Sequence, residues 1–184
     1  MKPKQILIVG TQRSGTSLIA SYLGAHSKIN MLCEDIGKNI NRLYGKPYQA
    51  NKLILHIQVR AKTKKNIFKS IFTHLFWRAF PTCKLSLQDY IDSGAKIIII
   101  TRNSDAVIRS MMKRSGYSYQ QAENEYARGI EIINWLYTVT RPYEIKYEDL
   151  IKNRTFWLTM ICGFLDIDFE IGMLKGEDYN FIYN

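Results

Sequence analysis

The turn from Gly10 to Ser17 places two glycines, one arginine and four hydroxyl side chains within eight positions. Glycines let a backbone wrap closely around an anion, and the free amide groups of a following helix point into such a turn. Arg13 adds a fixed positive charge, and Ser14 and Thr16 add hydroxyl donors, as does Ser17. We therefore predict an anion cradle here, with a plain strand-to-helix turn as the alternative.

The same turn differs at one position from GxxxxGK[ST], the phosphate-binding loop of NTPases. Gly10 and Gly15 occupy the glycine positions, but Thr16 stands where that loop has lysine. Without this lysine a γ-phosphate loses its principal cation, and no apolar run ends in a clear metal-binding aspartate. A P-loop kinase or related phosphotransferase is therefore the weaker alternative, and magnesium-dependent activity would favour it.

A second group of anion-binding side chains follows the strongly apolar run at residues 96–101. Arg102 comes directly after this run, and Ser110 lies two helical turns further on. A guanidinium fork and a hydroxyl can converge on one phosphate dianion. Arg114 lies one turn beyond Ser110 on the same helical face and can join them, with a solvated surface arginine as the alternative. We predict a second phosphate site at this position.

The strands and helices on either side must hold these two turns in place. The sequence indicates these elements by alternating apolar runs and segments with helical periodicity. Ser118 and Gln121 fit a capping box, and Asn153 fits a helix cap. Alternation of strands and helices predicts an α/β three-layer sandwich with a central, mostly parallel sheet, like that of P-loop NTPases. No repeat or linker is visible, so residues 1–184 form one predicted domain. The predicted strands are 5–10, 53–59, 96–101 and 143–147, and the predicted helices are 16–25, 66–80, 105–114, 118–137 and 153–165.

The overall composition limits the partners and the location. The 26 lysines and arginines against 16 acidic residues give a net charge of +10, which favours anionic partners. Cysteines 33, 83 and 162 are few and odd in number and lack a CxxC pair, which argues against a disulfide framework and a zinc site. No apolar stretch approaches a membrane span, and the apolar run near the start is too short for a signal peptide. We expect a cytoplasmic protein.

Three segments resemble the motifs of sulfotransferases that use 3′-phosphoadenosine 5′-phosphosulfate (PAPS). Arg13-Ser14-Gly15-Thr16-Ser17 resembles their 5′-phosphosulfate loop, [KR]-S-G-T-[TS]. Residues 102–110 resemble their 3′-phosphate motif, R-[ND]-P-x-D-x-x-x-S, with Ser104 in place of the proline. Residues 147–150 resemble their YEDL segment. The resemblance spans residues 5 to about 170 in the family's order.

This resemblance implies sulfuryl transfer from PAPS to an acceptor hydroxyl without a metal ion. It also implies that Tyr147 lies near the nucleotide, although a strand-end tyrosine closing the core is an equal alternative. The implied donor-binding residues are Arg13, Ser14, Gly15, Thr16, Ser17, Arg102, Ser110, Arg114 and Tyr147.

The resemblance also implies two catalytic residues, Arg13 and Glu34. Arg13 matches the group that stabilises the leaving side of the reaction. The tyrosylprotein sulfotransferase branch places a glutamate after R-S-G-T-T, a helix and A-H-P, and Glu34 occurs at the matching position, after Ala25-His26-Ser27. A carboxylate with an intrinsic pKa near 4.3 needs partial desolvation to act as a base near neutral pH. The alternatives are a capping role for Glu34 at a helix over 34–44, the neighbouring Asp35, and a histidine base, His56 or His74.

Two features of the sequence bear on the acceptor. Residues 154–169 resemble a family helix that ends in a turn beginning with Phe-Leu, here Phe164-Leu165. Relatives continue beyond this turn into a segment that covers the nucleotide. Here the alternatives are that Lys175 and its neighbours cover it, that the site is open, or that a second copy of the chain in a homo-oligomer closes it. Basic residues between 60 and 69 favour an acidic acceptor, such as an acidic peptide or a sulfated glycan, with a solvated loop as the alternative. A non-catalytic polyanion binder is a third hypothesis, but no nucleic-acid recognition motif supports it.

Overall fold

The computed structural model describes residues 3–34, 45–55 and 87–183, and the side chains of these residues up to 178. Within these ranges, strands and helices alternate along the chain. The strands are β1 (Lys4–Gly10), β2 (Ile29–Cys33), β3 (Tyr48–Ile54), β4 (Lys96–Thr101) and β5 (Tyr143–Lys146). The helices are α1 (Thr16–Gly24), α2 (Leu87–Asp92), α3 (Ser104–Ser115), α4 (Tyr119–Val139), α5 (Tyr147–Lys152) and α6 (Arg154–Leu165), followed by a 3₁₀ segment (Ile171–Tyr183).

The described strands form one parallel sheet in the order β2-β3-β1-β4-β5. β1 lies in the centre, where Lys4 pairs with Tyr48 of β3 and Ile6 pairs with Lys96 of β4. Its apolar residues are buried on both faces, as expected for a strand covered by helices on each side. Because all strands are parallel, their carboxyl ends meet at one edge, where ligands of such sheets bind. The prediction of an α/β fold with a central parallel sheet is confirmed.

Two helical layers cover the sheet. Ile6 and Ile8 of β1 face a cluster that also contains α1, α6 and Met173 of the 3₁₀ segment. Leu7 and Val9 face the opposite cluster, which contains residues of α2 and α4. Successive side chains of a strand point to opposite faces, so one strand supports both layers.

Strand β3 differs from its predicted position. It begins at Tyr48 rather than at residue 53, and β2 was not predicted at all. The reason is that β3 buries the polar side chains of Gln49, Asn51 and Lys52 in mid-strand. Asn51 donates to the Tyr90 hydroxyl at 2.8 Å, so this polarity is satisfied inside the fold and invisible to hydropathy. Residues 56–59 and the predicted helices at 34–44 and 66–80 lie outside the described residues, apart from Glu34.

The predicted helix caps are confirmed. The Ser118 hydroxyl accepts from the Gln121 amide, and the Gln121 side chain accepts from the Ser118 amide, which completes the capping box of α4. Asn153 caps α6 by accepting from the Phe156 amide at 3.2 Å. Tyr147 opens α5 rather than closing strand β5. These caps fix the residues at which α4 and α6 begin.

Candidate functional site

A cavity of about 430 Å³ lies at the carboxyl edge of the sheet. It reaches from the ends of β2 and β3, past the loop after β1, to the segments that follow β4 and β5. Most of its lining surface is polar. The lining residues are Gln12, Arg13, Gly15, Thr16, Ser17, Leu18, Glu34, Lys52, Ile54, Arg102, Ser110, Arg114, Tyr147, Ile151 and Glu177.

The loop after β1 is held tightly between its neighbours. A Cβ at Gly10 would lie 2.6 Å from the Ile100 carbonyl oxygen, and a Cβ at Gly15 would lie 2.5 Å from Cδ2 of Tyr147. Gly15 also has a φ of +107°, which disfavours any side chain. Both glycines are therefore required by the close approach of this loop to β4 and α5.

Ser14 was predicted to bind the ligand, and the structure uses its polar groups differently. The Ser14 side chain is fully buried and does not line the cavity. Its hydroxyl and its amide both donate to the Thr11 carbonyl oxygen, at 2.8 and 3.1 Å. Ser14 therefore closes the loop, while the neighbouring Thr16 and Ser17 line the cavity.

Three arginines of the predicted anion sites meet at the cavity. Arg13 Nε donates to the Ser110 hydroxyl at 3.3 Å, and Arg102 Nη1 donates to the Arg13 carbonyl at 3.3 Å. Burial, followed by the charges of Arg114 and Arg102, lowers the pKa of Arg13 from its ordinary value. Such clustering of like charges is unfavourable until an anion enters, so this part of the cavity suits a polyanionic ligand.

Arg102 is oriented by an aromatic ring. Its guanidinium carbon lies 4.3 Å from the centre of the Tyr147 ring, within the range of a cation–π interaction. Its Nε is buried and has no hydrogen-bond partner among the described residues. A buried guanidinium donor without a partner normally indicates a missing ligand or water.

At the opposite end of the cavity, Glu34 pairs with Lys52, a residue that the sequence analysis did not predict. Lys52 Nζ lies 2.6 Å from Glu34 Oε1 and 3.1 Å from the Ser17 hydroxyl. The Lys52 side chain is only 1% exposed, whereas that of Glu34 is 34% exposed. The lysine thus connects the glutamate to the anion-binding loop. Lys52 directly precedes the predicted strand 53–59, and the predicted start of that strand was too late to show that Lys52 lies within β3.

Arg13 and Glu34 also share an unusual backbone conformation. Arg13 has a φ of +68° and Glu34 a φ of +56°; among the described non-glycine residues, only Asp166 shares this property. Non-glycine residues adopt positive φ at a cost of about 1 kcal/mol or more, and such residues concentrate at functional sites. The two predicted catalytic residues are therefore the cavity residues with this strain.

Of the three histidines, His26 lies among the described residues. His56 and His74 lie outside the described residues, as do Asp35 and the basic stretch 60–69. His26 is buried away from the cavity: Nε2 donates to the Asp168 carbonyl at 3.0 Å, and Nδ1 accepts from the Lys28 amide at 3.0 Å. Both ring nitrogens are engaged, so His26 joins the end of α1 to the segment after α6 and has a structural role. Lys175 is exposed and does not line the cavity.

The described residues contain neither a cluster of metal-binding side chains nor a membrane-spanning helix. No group of three or more histidine, cysteine, aspartate or glutamate side chains is arranged to hold a metal ion within residues 3–34, 45–55 and 87–183. In the same part of the chain, no helix is both long and apolar enough to cross a membrane.

Comparison with known families decides the assignment. The model of the sulfotransferase domain family matches residues 3–183. The chain belongs to this family of sulfotransferases. Sulfuryl transfer is accordingly its activity, and nothing in the comparisons supports the phosphotransferase or the polyanion-binding alternative. No curated protein sequence matches the chain at a significant level.

Solved sulfotransferase structures share the fold. The sulfotransferase domain of the Synechococcus PCC 7002 olefin synthase is 18% identical, with a TM-score of 0.61 over 95% of this chain and 78% of that one. The sulfotransferase domain of the curacin biosynthetic pathway is 17% identical, with a TM-score of 0.58 over 96% of this chain and 78% of that one. Mouse sulfotransferase SULT7A1 complexed with PAP is 14% identical, with a TM-score of 0.60 over 96% of this chain and 63% of that one. At these identities the likeness shows the fold of the sulfotransferase.

The contact between Gly15 and Tyr147 leads to a stability prediction. We expect Gly15→Ala to destabilise the sulfotransferase by about 2 to 3 kcal/mol, because the new Cβ both meets the Tyr147 ring and occupies a positive-φ position. Gly94→Ala is the matched control, since Gly94 has a φ of +71° but nothing within 4 Å of its Cβ position. Urea unfolding measures both variants. Equal losses in the two would show that the ring contact contributes nothing.

Proposed function

We propose that this sulfotransferase transfers a sulfuryl group from PAPS to an acceptor hydroxyl and releases 3′-phosphoadenosine 5′-phosphate. One observation carries the proposal: two anion-binding groups on neighbouring strand ends, the loop with Arg13 and the pair Arg102 and Ser110, open into one cavity. A nucleotide with phosphates at both its 3′ and 5′ positions places anions in both groups. A nucleotide with phosphates on one side alone leaves one of them unused.

The residues present fit such a donor. Gly15, Thr16 and Ser17 line the cavity at the start of α1, where a helix favours negative charge. The Arg102 guanidinium supplies donors for the 3′-phosphate, together with Ser110 and Arg114, which line the same cavity. PAPS, when bound, supplies the activated sulfuryl group. A related structure, retinol dehydratase, was solved with PAP bound, which supports the same nucleotide class here.

We assign the chemistry to three cavity residues. Arg13 stabilises the negative charge that develops on the leaving phosphate oxygen, as a preorganised cation does in other group transfers. Glu34 accepts the proton of the acceptor hydroxyl. Lys52, bonded to Glu34 Oε1 and to the Ser17 hydroxyl, orients this carboxylate toward the loop and adds positive charge at the transferred group.

The acceptor is a further part of this proposal. A hydroxyl-bearing acceptor is supported by the assigned chemistry, and retinol dehydratase was solved with retinol and with androsterone. An acidic peptide or sulfated glycan as acceptor stays a prediction from the basic stretch 60–69. We also keep a single domain over residues 1–184, a cytoplasmic location and a homo-oligomer as proposals.

Ligand choice tests this function. We expect 3′-phosphoadenosine 5′-phosphate to bind far more tightly than 5′-AMP or ATP in calorimetric titrations, because only the bisphosphate occupies both groups. Arg102→Ala should weaken bisphosphate binding by about 2 to 4 kcal/mol while changing 5′-AMP binding little. Arg109→Ala is the control, since Arg109 lies on the same helix but is exposed and outside the cavity. Equal affinity of the wild type for 5′-AMP and the bisphosphate would contradict the assignment of Arg102 and Ser110.

A further inference from the structure

A carboxylate lines the cavity at a place where the anion sites do not explain it. Glu177 lies on the 3₁₀ segment and faces the same cavity as the arginines that suit phosphates. Of the two carboxylates in this lining, Glu34 is engaged by Lys52 and belongs to the proposed chemistry. Glu177 does not suit a phosphate, and its partner Arg154 does not line the cavity.

The sheet order separates Glu177 from the reacting end. Glu34 directly follows β2 and Lys52 lies within β3, whereas Tyr147 and Ile151 belong to α5, which follows β5 at the other side of the sheet. Since adjacent strands lie about 4.8 Å apart, β3 and β5 are separated by roughly 14 Å. Glu177 belongs to the second end, because its partner Arg154 opens α6 directly after α5.

Part of the lining of this cavity is apolar or aromatic. Leu18, Tyr147 and Ile151 line the cavity with Glu177. All four residues belong to elements on the α1 and α6 face of the sheet, whereas Ser110 and Arg114 lie on α3, on the opposite face. Aliphatic and aromatic surfaces with one acceptor group suit a flat heterocyclic base that carries an amino donor.

Arg154 and the packing of the 3₁₀ segment on α1 hold the Glu177 carboxylate in place. Arg154 Nη1 donates to Glu177 Oε2, and Arg154 is the only hydrogen-bond partner of this carboxylate among the described residues. The adjacent Gly176 packs so closely on α1 that a Cβ there would collide with the Ser21 carbonyl oxygen. The 3₁₀ segment therefore fixes the backbone of Glu177, and one carboxylate oxygen remains for a ligand.

We propose that Glu177 determines base specificity by accepting a hydrogen bond from the exocyclic amino group of a 6-aminopurine. This inference rests on the proposed function, in which the donor is an adenosine nucleotide. A carboxylate can only accept hydrogen bonds, so it pairs with a 6-amino group and repels the carbonyl oxygen of a 6-oxopurine. Arg154 holds the carboxylate in its orientation.

Calorimetric binding of two nucleotides to the full chain tests this inference without any turnover. We expect the wild type to bind adenosine 3′,5′-bisphosphate about 10- to 100-fold more tightly than inosine 3′,5′-bisphosphate, the range for one hydrogen bond to a charged group. In Glu177→Gln the amide can turn and donate to a 6-oxo group, so this preference should fall to about threefold or less. Glu131→Gln, an exposed glutamate on α4 outside the cavity, should keep the wild-type preference.

The outcomes separate this inference from the proposed function. Equal binding of both bisphosphates by the wild type overturns the role of Glu177 and leaves the bisphosphate site intact; this comparison needs no variant to fold. A wild-type preference that Glu177→Gln retains in full also overturns it. If the wild type binds neither bisphosphate, the proposed donor and the role of Glu177 both fail.

Discussion

Replacing Arg13 with alanine is expected to lower kcat for sulfuryl transfer by about 100- to 1000-fold, the usual loss when one preorganised charge-stabilising group is removed. Arg13 lies in the loop after β1, with its Nε bonded to Ser110 and its carbonyl bonded to Arg102. These two hydrogen bonds hold the side chain and the backbone of Arg13 in place. The measurement is the rate of 3′-phosphoadenosine 5′-phosphate formation from PAPS, using the best acceptor from a panel of simple phenols and alcohols.

Arg13→Lys separates charge from geometry. It keeps the positive charge but loses the rigid fork and the Nε bond to Ser110, so we expect partial activity, between the wild type and the alanine variant. Unfolding in urea shows whether each variant keeps its stability. Wild-type kcat in Arg13→Ala would remove Arg13 from the catalytic residues.

The second large effect is expected at the Glu34–Lys52 pair. Glu34→Gln removes the proton acceptor and should lower kcat about 100-fold or more, with little change in bisphosphate affinity. Lys52→Met keeps a long side chain at this buried position but removes the group that orients Glu34, and we expect a comparable loss. Because the two residues act as one unit, the double variant should lose little more than either single variant.

The losses of kcat in these variants and in a His56 variant distinguish Glu34 from His56 as the base. Additive losses in the double variant would show that Lys52 acts without Glu34. Full activity in Glu34→Gln together with inactive His56→Ala would show that the base is His56. In each variant, calorimetric affinity for the bisphosphate separates a catalytic loss from a binding loss.

The site residues that could be predicted from sequence patterns lie in short segments where the pattern is local. The loop from Gly10 to Ser17 lies between an apolar strand and a helix, and Arg102 directly follows another apolar strand. Buried parallel strands and capped helices leave a clear signal in a few consecutive residues, because their apolar runs and caps are local. Arg13 and Arg102 could be named for this reason, whereas Glu34 came from the family resemblance, because strand β2 before it was not predicted.

The missed residues depend on contacts between distant segments. Lys52 is buried in β3 only because Glu34 and Ser17, from two other segments, satisfy its ammonium group. Glu177 enters the cavity only through the packing of the 3₁₀ segment on α1. Ser14 carries a family motif position, yet its hydroxyl bonds to Thr11 instead of facing the cavity. Hydropathy and motif spacing contain none of this information.

The central position of β1 has a consequence for how the chain folds. β1 pairs with Tyr48–Ile54 on one side and with Lys96–Thr101 on the other, so both neighbours lie far along the chain. Non-local pairing of this kind requires closure of long loops before any contact compensates for the lost entropy, and such topologies fold on the order of milliseconds to seconds. The anion cradle is only eight residues long, yet it rests on Ile100 and Tyr147. During refolding, nucleotide-binding competence should therefore emerge with the slowest phase, well after α4 has formed.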